Sequence, residues 1–257
     1  MAFIQLHFFS ESLHMQTEAW VIIPQRSNQG EIGRDPAKGA GEKKYRCLYL
    51  LHGLSDDHTI WMRRTSIERY ADRYGICVVM PCAHCSFYTD MKYGMNYYTY
   101  VAKELPERIR EFLNVSDRRE DNFVAGLSMG GYGALKIGLR ECDRFCACAG
   151  LSAGIDMEAS KRWPVAIPVF GEDGIVKEDD DLFKLAEKRK NDPNKPRVYM
   201  AVGLEDFLYR ENQAMRRLLE ADGYDLTYRE SHGSHNWDFW DEYIVDVLEW
   251  MFGQQGQ

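Results

Sequence analysis

The stretch Asn122-Phe-Val-Ala-Gly-Leu-Ser-Met-Gly-Gly-Tyr-Gly-Ala-Leu-Lys136 constrains this chain more than any other. It starts with an apolar run, Phe123 to Ala125, short enough for a buried strand. A glycine-flanked turn follows at Gly126-Leu-Ser-Met-Gly130, and then a helix-compatible pattern from Tyr132 to Leu139. G-x-S-x-G between a strand and a helix thrusts a serine out of a tight, strained turn. Such a turn needs neighbours without side chains, and Gly126 and Gly130 supply them. The helix that starts next aims its first N–H groups and its positive dipole end at whatever atom reacts there. Ser128 therefore reads as a nucleophile.

A serine hydroxyl is a weak nucleophile near neutral pH and needs a base within reach, itself oriented by a third group. In an α/β sheet such groups sit on loops after the carboxyl ends of strands. Before the elbow, Ala2–Phe9 and Leu13–Ile23 read as an antiparallel pair. Gln25–Lys44, with four Gly and one Pro, reads as a long surface loop. Cys47–Leu51 is a buried strand leading into His52-Gly53-Leu54, and Ile60–Tyr74 reads as a helix. Ile76–Met80 is the next strand. Tyr98–Leu113 fits a helix with an apolar stripe at Val101, Leu105, Ile109 and Phe112. After the elbow come a strand at Phe145–Ala149, an insertion over 155–196 with one helix near Asp181–Lys190, and a strand at Arg197–Val202. Helix Phe207–Ala221, strand Leu226–Glu230 and helix Trp237–Phe252 complete the chain. Strands alternating with helices predict a mostly parallel central sheet with helices on both faces, in one domain spanning 1–257.

Two late loops supply the partners for Ser128. Glu205 and Asp206 follow the Arg197–Val202 strand, and His232 and His235 follow the last strand. His235, after Gly-Ser and just before the final helix, is the better placed base; Asp238 is explained by its position at the start of that helix. The order Ser, acid, His is that of α/β-hydrolases. The oxyanion of an acyl transfer needs two donors. The N–H of Met129 is one, and the N–H of Leu54, brought close by Gly53, is the other.

Acidic residues number 40 against 32 basic, a net charge of −8 without blocks of like sign. That disfavours nucleic-acid partners, which need clustered Lys and Arg. The first ten residues alternate rather than form a signal peptide, and no apolar run approaches a membrane span. Seven scattered Cys suit reduced thiols and a cytoplasmic protein. Cys82-x-x-Cys85, with His84 between, lacks a second pair at metal-ligand spacing and reads as incidental thiols; no metal is expected. The tyrosines at 88, 93, 97, 98 and 100 suit either an acyl or aryl pocket or packing. Trp61, Tyr98 and Trp163 are the candidate substrate-binding residues, Trp163 because an insertion at this place caps the site.

The segments Tyr49-Leu-Leu-His-Gly-Leu54, Gly126-Leu-Ser-Met-Gly-Gly131, Glu205-Asp-Phe-Leu208 and Gly233-Ser-His-Asn-Trp-Asp-Phe-Trp-Asp241 together resemble the tributyrin-esterase and acetylesterase group. That group lies close to feruloyl (cinnamoyl) esterases and S-formylglutathione hydrolase. The resemblance covers roughly residues 45 to 252. It implies an α/β-hydrolase fold and serine esterase activity on small-molecule esters without a cofactor, often in homo-oligomers. By matching positions it implies Ser128, Asp206 and His235 as a triad, with Leu54 and Met129 as oxyanion donors. The Gln25–Lys44 loop and Cys82-Ala-His-Cys85 depart from the pattern and bear on substrate preference. The leading expectation is a carboxylesterase for short, acetyl-type acyl esters. The alternatives are a feruloyl esterase, a thioester hydrolase of the S-formylglutathione kind or, more remotely, a non-catalytic protein on the same scaffold.

Overall fold

A computed structural model describes residues 1–25, 32, 44–160 and 163–253. Most of the expected Gln25–Lys44 loop thus lies outside the described residues. The strands are β1 (Ala2–Ser10), β2 (Met15–Ile23), β3 (Cys47–Leu51), β4 (Cys77–Pro81), β5 (Asn122–Leu127), β6 (Ala147–Leu151), β7 (Arg197–Gly203) and β8 (Leu226–Ser231). They form one eight-stranded sheet in the order β1-β2-β4-β3-β5-β6-β7-β8. The β1–β2 and β2–β4 pairs are antiparallel, and every later pair is parallel. This is the mostly parallel sheet that the strand–helix alternation predicts, of the α/β-hydrolase type that the resemblance implies.

The central strands are buried on both faces, so they read as apolar runs rather than alternations. Period two still decides which face each residue serves: Cys47, Tyr49 and Leu51 join one core, Leu48 and Leu50 the other. The principal helices are α1 (Ile60–Arg64), α2 (Ile67–Asp72), α3 (Leu105–Phe112), α4 (Met129–Arg140), α5 (Leu182–Arg189), α6 (Tyr209–Ala221) and α7 (Trp237–Phe252). Helices α3 to α6 cover the first face, and α1, α2 and α7 the second.

Three elements depart from the sequence expectation for local reasons. The Ile60–Tyr74 helix is split because Thr65 turns extended; its hydroxyl donates to the Trp61 carbonyl at 2.6 Å and accepts from the Ile67 N–H at 3.1 Å. A threonine that bonds the backbone this way competes with helix continuation. The Tyr98–Leu113 helix contains a π turn at Tyr100–Glu104 just before Pro106. Proline cannot donate to the carbonyl four residues back, and Arg144 serves that Ala102 carbonyl instead at 3.1 Å. Val101, Leu105 and Ile109 of its stripe are buried, whereas Phe112 is exposed. Strand β6 lies two residues later than expected, pairing Gly150 with Gly126 beside the elbow. The insertion adds short helical turns at Met157–Ser160, Pro164–Ala166, Ile167–Phe170 and Glu178–Asp180 before α5.

Parallel register brings the carboxyl ends of five strands level. Leu51 pairs with Gly126, Gly126 with Gly150, and Gly203 with Ser231. The loops after β3, β5, β7 and β8 therefore open on one edge. Among the described residues no helix is long and apolar enough to cross a membrane.

Candidate active site

Ser128 stands between β5 and α4 with φ 53° and ψ −117°, a conformation that a non-glycine residue adopts only under constraint. The constraint is visible. Its N–H donates to the Leu151 carbonyl at 2.8 Å, and its carbonyl accepts from Tyr132 at 3.0 Å and Gly154 at 3.1 Å. A Cβ at Gly126 would collide with the Gly130 backbone, and one at Gly130 with the carbonyls of Leu51 and His52. The elbow and the loop after β3 thus pack backbone against backbone.

The Ser128 hydroxyl lies 2.9 Å from His235 Nε2. On the far side of the ring, Nδ1 lies 2.9 and 3.2 Å from the two Asp206 carboxylate oxygens. A carboxylate only accepts, so Nδ1 carries the proton and Nε2 presents a lone pair to the hydroxyl. Burial works to raise the Asp206 carboxyl. Hydrogen bonds from His235 and from the Leu208 N–H outweigh it and hold the group below the usual aspartate range. The Asp206 side chain is inaccessible to solvent, and that of His235 is 18% exposed. The imidazole is also packed between Phe207, 4.6 Å away, and Trp240, 4.9 Å away.

Neither competing carboxylate reaches the ring. Glu205 accepts from the Gly233 N–H at 2.7 Å and pairs with exposed His232 at 2.8 Å. Asp238 occupies the first turn of α7, where a carboxylate meets the positive helix end. The loops that carry Asp206 and His235 are further zipped by Leu204 N–H to the Ser231 carbonyl and Glu205 N–H to the Gly233 carbonyl.

Leu54 and Met129 flank Ser128 in a cleft that opens to solvent. His52 fixes the Leu54 loop. Its Nε2 accepts from the Ala83 N–H at 2.9 Å, so its proton sits on Nδ1, bonded to the Gly53 carbonyl at 2.7 Å. Of the expected pocket residues, Trp163 lines this cleft. Trp61 does not: it is 1% exposed on the second face, its indole N–H on the Leu51 carbonyl and its ring against Trp237. Tyr98 does not either; it is buried with its hydroxyl on Glu141 at 2.7 Å and the Arg140 guanidinium over its ring. Tyr88, Tyr97 and Tyr100 are likewise buried packing, and Tyr93 is exposed. The walls that sequence reasoning missed are Phe87, Met157, Phe207 and Leu208. The last two stood in view directly after Asp206; Phe87 and Met157 carried no signal.

Cys82 is buried beside His84, and Cys85 is exposed with its thiol on the Leu54 carbonyl at 3.1 Å. Among the described residues no group of three or more His, Cys, Asp or Glu is placed to hold a metal ion.

Comparison with known proteins gives the family. Residues 34–251 match the family model described as "Putative esterase". An acetyl esterase of Caldicellulosiruptor saccharolyticus is 33% identical, over 98% of this chain and 98% of its own. A fluorophosphonate-binding serine hydrolase of Staphylococcus aureus superposes with a TM-score of 0.87 at 31% identity, covering 98% of this chain and 99% of the other. An S-formylglutathione hydrolase of the same organism gives 0.85 at 32%, with 98% of both chains covered. A ferulic acid esterase gives 0.80 at 26%, covering 98% of this chain and 97% of the other. The chain belongs to the esterase family and is a serine ester hydrolase.

Proposed function

We propose that this enzyme hydrolyses short-chain acyl esters, acetyl esters foremost, through an acyl-enzyme on Ser128. His235 takes the Ser128 proton as the oxygen attacks the carbonyl, and Asp206 holds the imidazolium that results. The N–H groups of Leu54 and Met129 hold the oxyanion. His235 then protonates the departing alcohol, and water attacks the acyl-enzyme by the reverse of the same steps. The observation that carries this reading is the unbroken relay of contacts Ser128 Oγ, His235 Nε2, His235 Nδ1 and Asp206, each within 3.2 Å. The site draws on loops after β3, β5, β7 and β8, which supports treating 1–257 as one catalytic domain. Seven free thiols suit a reducing, cytoplasmic setting.

The acyl preference rests on the cleft. Leu54, Phe87, Met129, Met157 and Leu208 surround Ser128 with apolar groups, and no charged side chain lines the described cleft. That favours a small apolar acyl group over the anionic tripeptide of a glutathione thioester. The acetyl esterase relative points the same way. A second reading, an aryl-propenoyl acyl group, is favoured by the exposed rings of Trp163 and Phe207 at the cleft. A panel of nitrophenyl esters of increasing acyl length, methyl ferulate and S-formylglutathione separates these. Acetate or propionate should give the highest kcat/KM, by about tenfold or more over the others, the scale of one to a few methylenes in an apolar pocket. A higher kcat/KM on methyl ferulate would transfer the assignment to the aryl reading.

Acidification should slow the reaction, because only the neutral imidazole accepts the proton. Asp206, held below the usual aspartate range, stays ionised over that span and contributes no inflection of its own. The value of kcat/KM should therefore fall steadily as the pH is lowered. A flat profile, on a substrate whose chemistry limits the rate, would contradict a histidine base.

A further inference from the structure

Helix α4 carries a cation that the acyl-transfer steps leave idle. Lys136, eight residues after Ser128, is fully buried. Its ammonium donates to the Phe87 carbonyl at 3.3 Å, Thr89 Oγ1 at 2.6 Å and Asp180 Oδ1 at 3.1 Å. Taking both charges of such a pair out of water costs several kcal/mol per ion, and apolar side chains of similar volume serve stability as well or better. What distinguishes Lys136 is the segment it grips.

Phe87 and Tyr88 are consecutive non-glycine residues with φ of 50° and 48°. Such a residue is strained and persists only where its surroundings over-determine it. Four contacts do so. The Thr89 hydroxyl donates to the Phe87 carbonyl at 2.9 Å. Ser86 Oγ accepts from the Tyr88 N–H at 3.1 Å. The Tyr88 ring lies on Gly133, where a Cβ would strike it at 2.5 Å. One turn further along α4, Lys136 holds the carbonyl of Phe87 and the hydroxyl of Thr89. The segment so fixed serves the cleft twice. The Phe87 side chain lines it beside Ser128, and the Tyr88 hydroxyl donates to the His52 carbonyl at 2.9 Å, just before Leu54. Asp180, the third acceptor, belongs to the insertion, and its own carbonyl accepts from Tyr132 at 2.7 Å.

We propose that Lys136 is a specificity-determining positioning residue: by holding Phe87 and Thr89 it fixes the Phe87 wall of the Ser128 cleft and thereby limits the acyl length accepted. This rests on the short-acyl reading of that cleft. The charged and titratable groups facing the ammonium are Asp180, Arg140, Asp90 and the rings of Tyr132 and Tyr98, at 4.6 and 5.6 Å. Arg140 also lies 3.8 Å from the same Asp180 oxygen. Burial brings the Lys136 pKa down to about 8, with the Asp180 carboxylate opposing it. Below that pH three N–H donors serve three acceptors. Above it the neutral amine keeps two; the longest bond, to Phe87, is the one given up, which leaves that carbonyl to the Thr89 hydroxyl alone.

The test is the ratio of kcat/KM for nitrophenyl hexanoate to that for nitrophenyl acetate, from pH 6.5 to 9.5. The ratio cancels the acid–base step common to both substrates. In the wild-type enzyme it should rise about threefold to tenfold, the scale of a change outside the triad, with a midpoint near pH 8. Asp180→Asn, which removes the carboxylate favouring the charged amine, should move that midpoint to lower pH. Lys136→Met should show the raised ratio at every pH, with folding checked by circular dichroism. A ratio that stays flat in the wild type, or a folded Lys136→Met that retains the wild-type ratio and its pH dependence, overturns the proposal. If Lys136→Met does not fold, the wild-type and Asp180→Asn series decide, because an unmoved midpoint is equally contrary. Failure of the wild type to hydrolyse the acetate at all would instead strike the short-acyl reading itself.

Discussion

Ser128→Ala is expected to abolish ester turnover while leaving the fold in place. The change removes one oxygen, at a residue whose strained φ is imposed by the bonds to Leu151, Tyr132 and Gly154 rather than by its own side chain. Loss of the hydrogen bond to His235 should cost about 1 kcal/mol or less of stability, the net value of a typical pair. The loss of rate should be about 10⁵ to 10⁶ in kcat, as when an acyl-transfer enzyme loses its nucleophile and keeps only its oxyanion donors. Hydrolysis of a short nitrophenyl ester, a thermal melt and fluorophosphonate labelling measure the three consequences. Near wild-type turnover or persistent labelling in a folded variant would place the nucleophile elsewhere.

The second large effect falls on Asp206. With Asn in its place the ring neighbour becomes an amide whose N–H₂ can donate to Nδ1, so the imidazole proton is driven to Nε2, where Ser128 needs a lone pair. The expected cost is on the order of 10⁴ in kcat, the effect of holding a triad histidine in the wrong tautomer. Glu205→Gln and Asp238→Asn should each cost about tenfold or less. The geometry gives the reason. Glu205 touches His235 only through Gly233, two residues before it, and Asp238 serves the first turn of α7. Steady-state rates of the three variants, with circular dichroism as the folding control, decide the matter. A crippled Glu205→Gln beside an active Asp206→Asn would show that the acid had been misassigned.

The legible and illegible parts of the site differ in how far their determinants reach along the chain. Ser128 and its glycines announce themselves because elbow geometry is local: strand, turn and helix need only some fifteen consecutive residues to be seen. Asp206 and His235 were readable because parallel strands deliver their following loops to one edge, so position in the strand order stands in for position in space. The aromatic residues obeyed no such rule. Trp61 and Tyr98 sit near the motifs in sequence, but Trp61 turns its indole N–H to the Leu51 carbonyl and Tyr98 its hydroxyl to Glu141. Neither is visible in hydrophobic periodicity. Phe87 reached the cleft through two left-handed residues, a conformation that composition gives no reason to expect outside glycine. Met157 came from an insertion without a period of its own.

The arrangement of β7 and β8 also has a consequence during synthesis. The elbow and strands β3 and β4 all precede residue 141, whereas the loop holding His235 follows β8, the edge strand of the sheet. Domains emerge from the ribosome amino end first, at about 5 to 20 residues per second. A nascent chain that has made Ser128 must therefore add more than 100 further residues before its base exists. Throughout that interval the serine is an ordinary, unactivated alcohol, and a chain truncated anywhere before β8 carries a nucleophile that nothing deprotonates. Ser128 meets His235 only once the loop after β8 has been made.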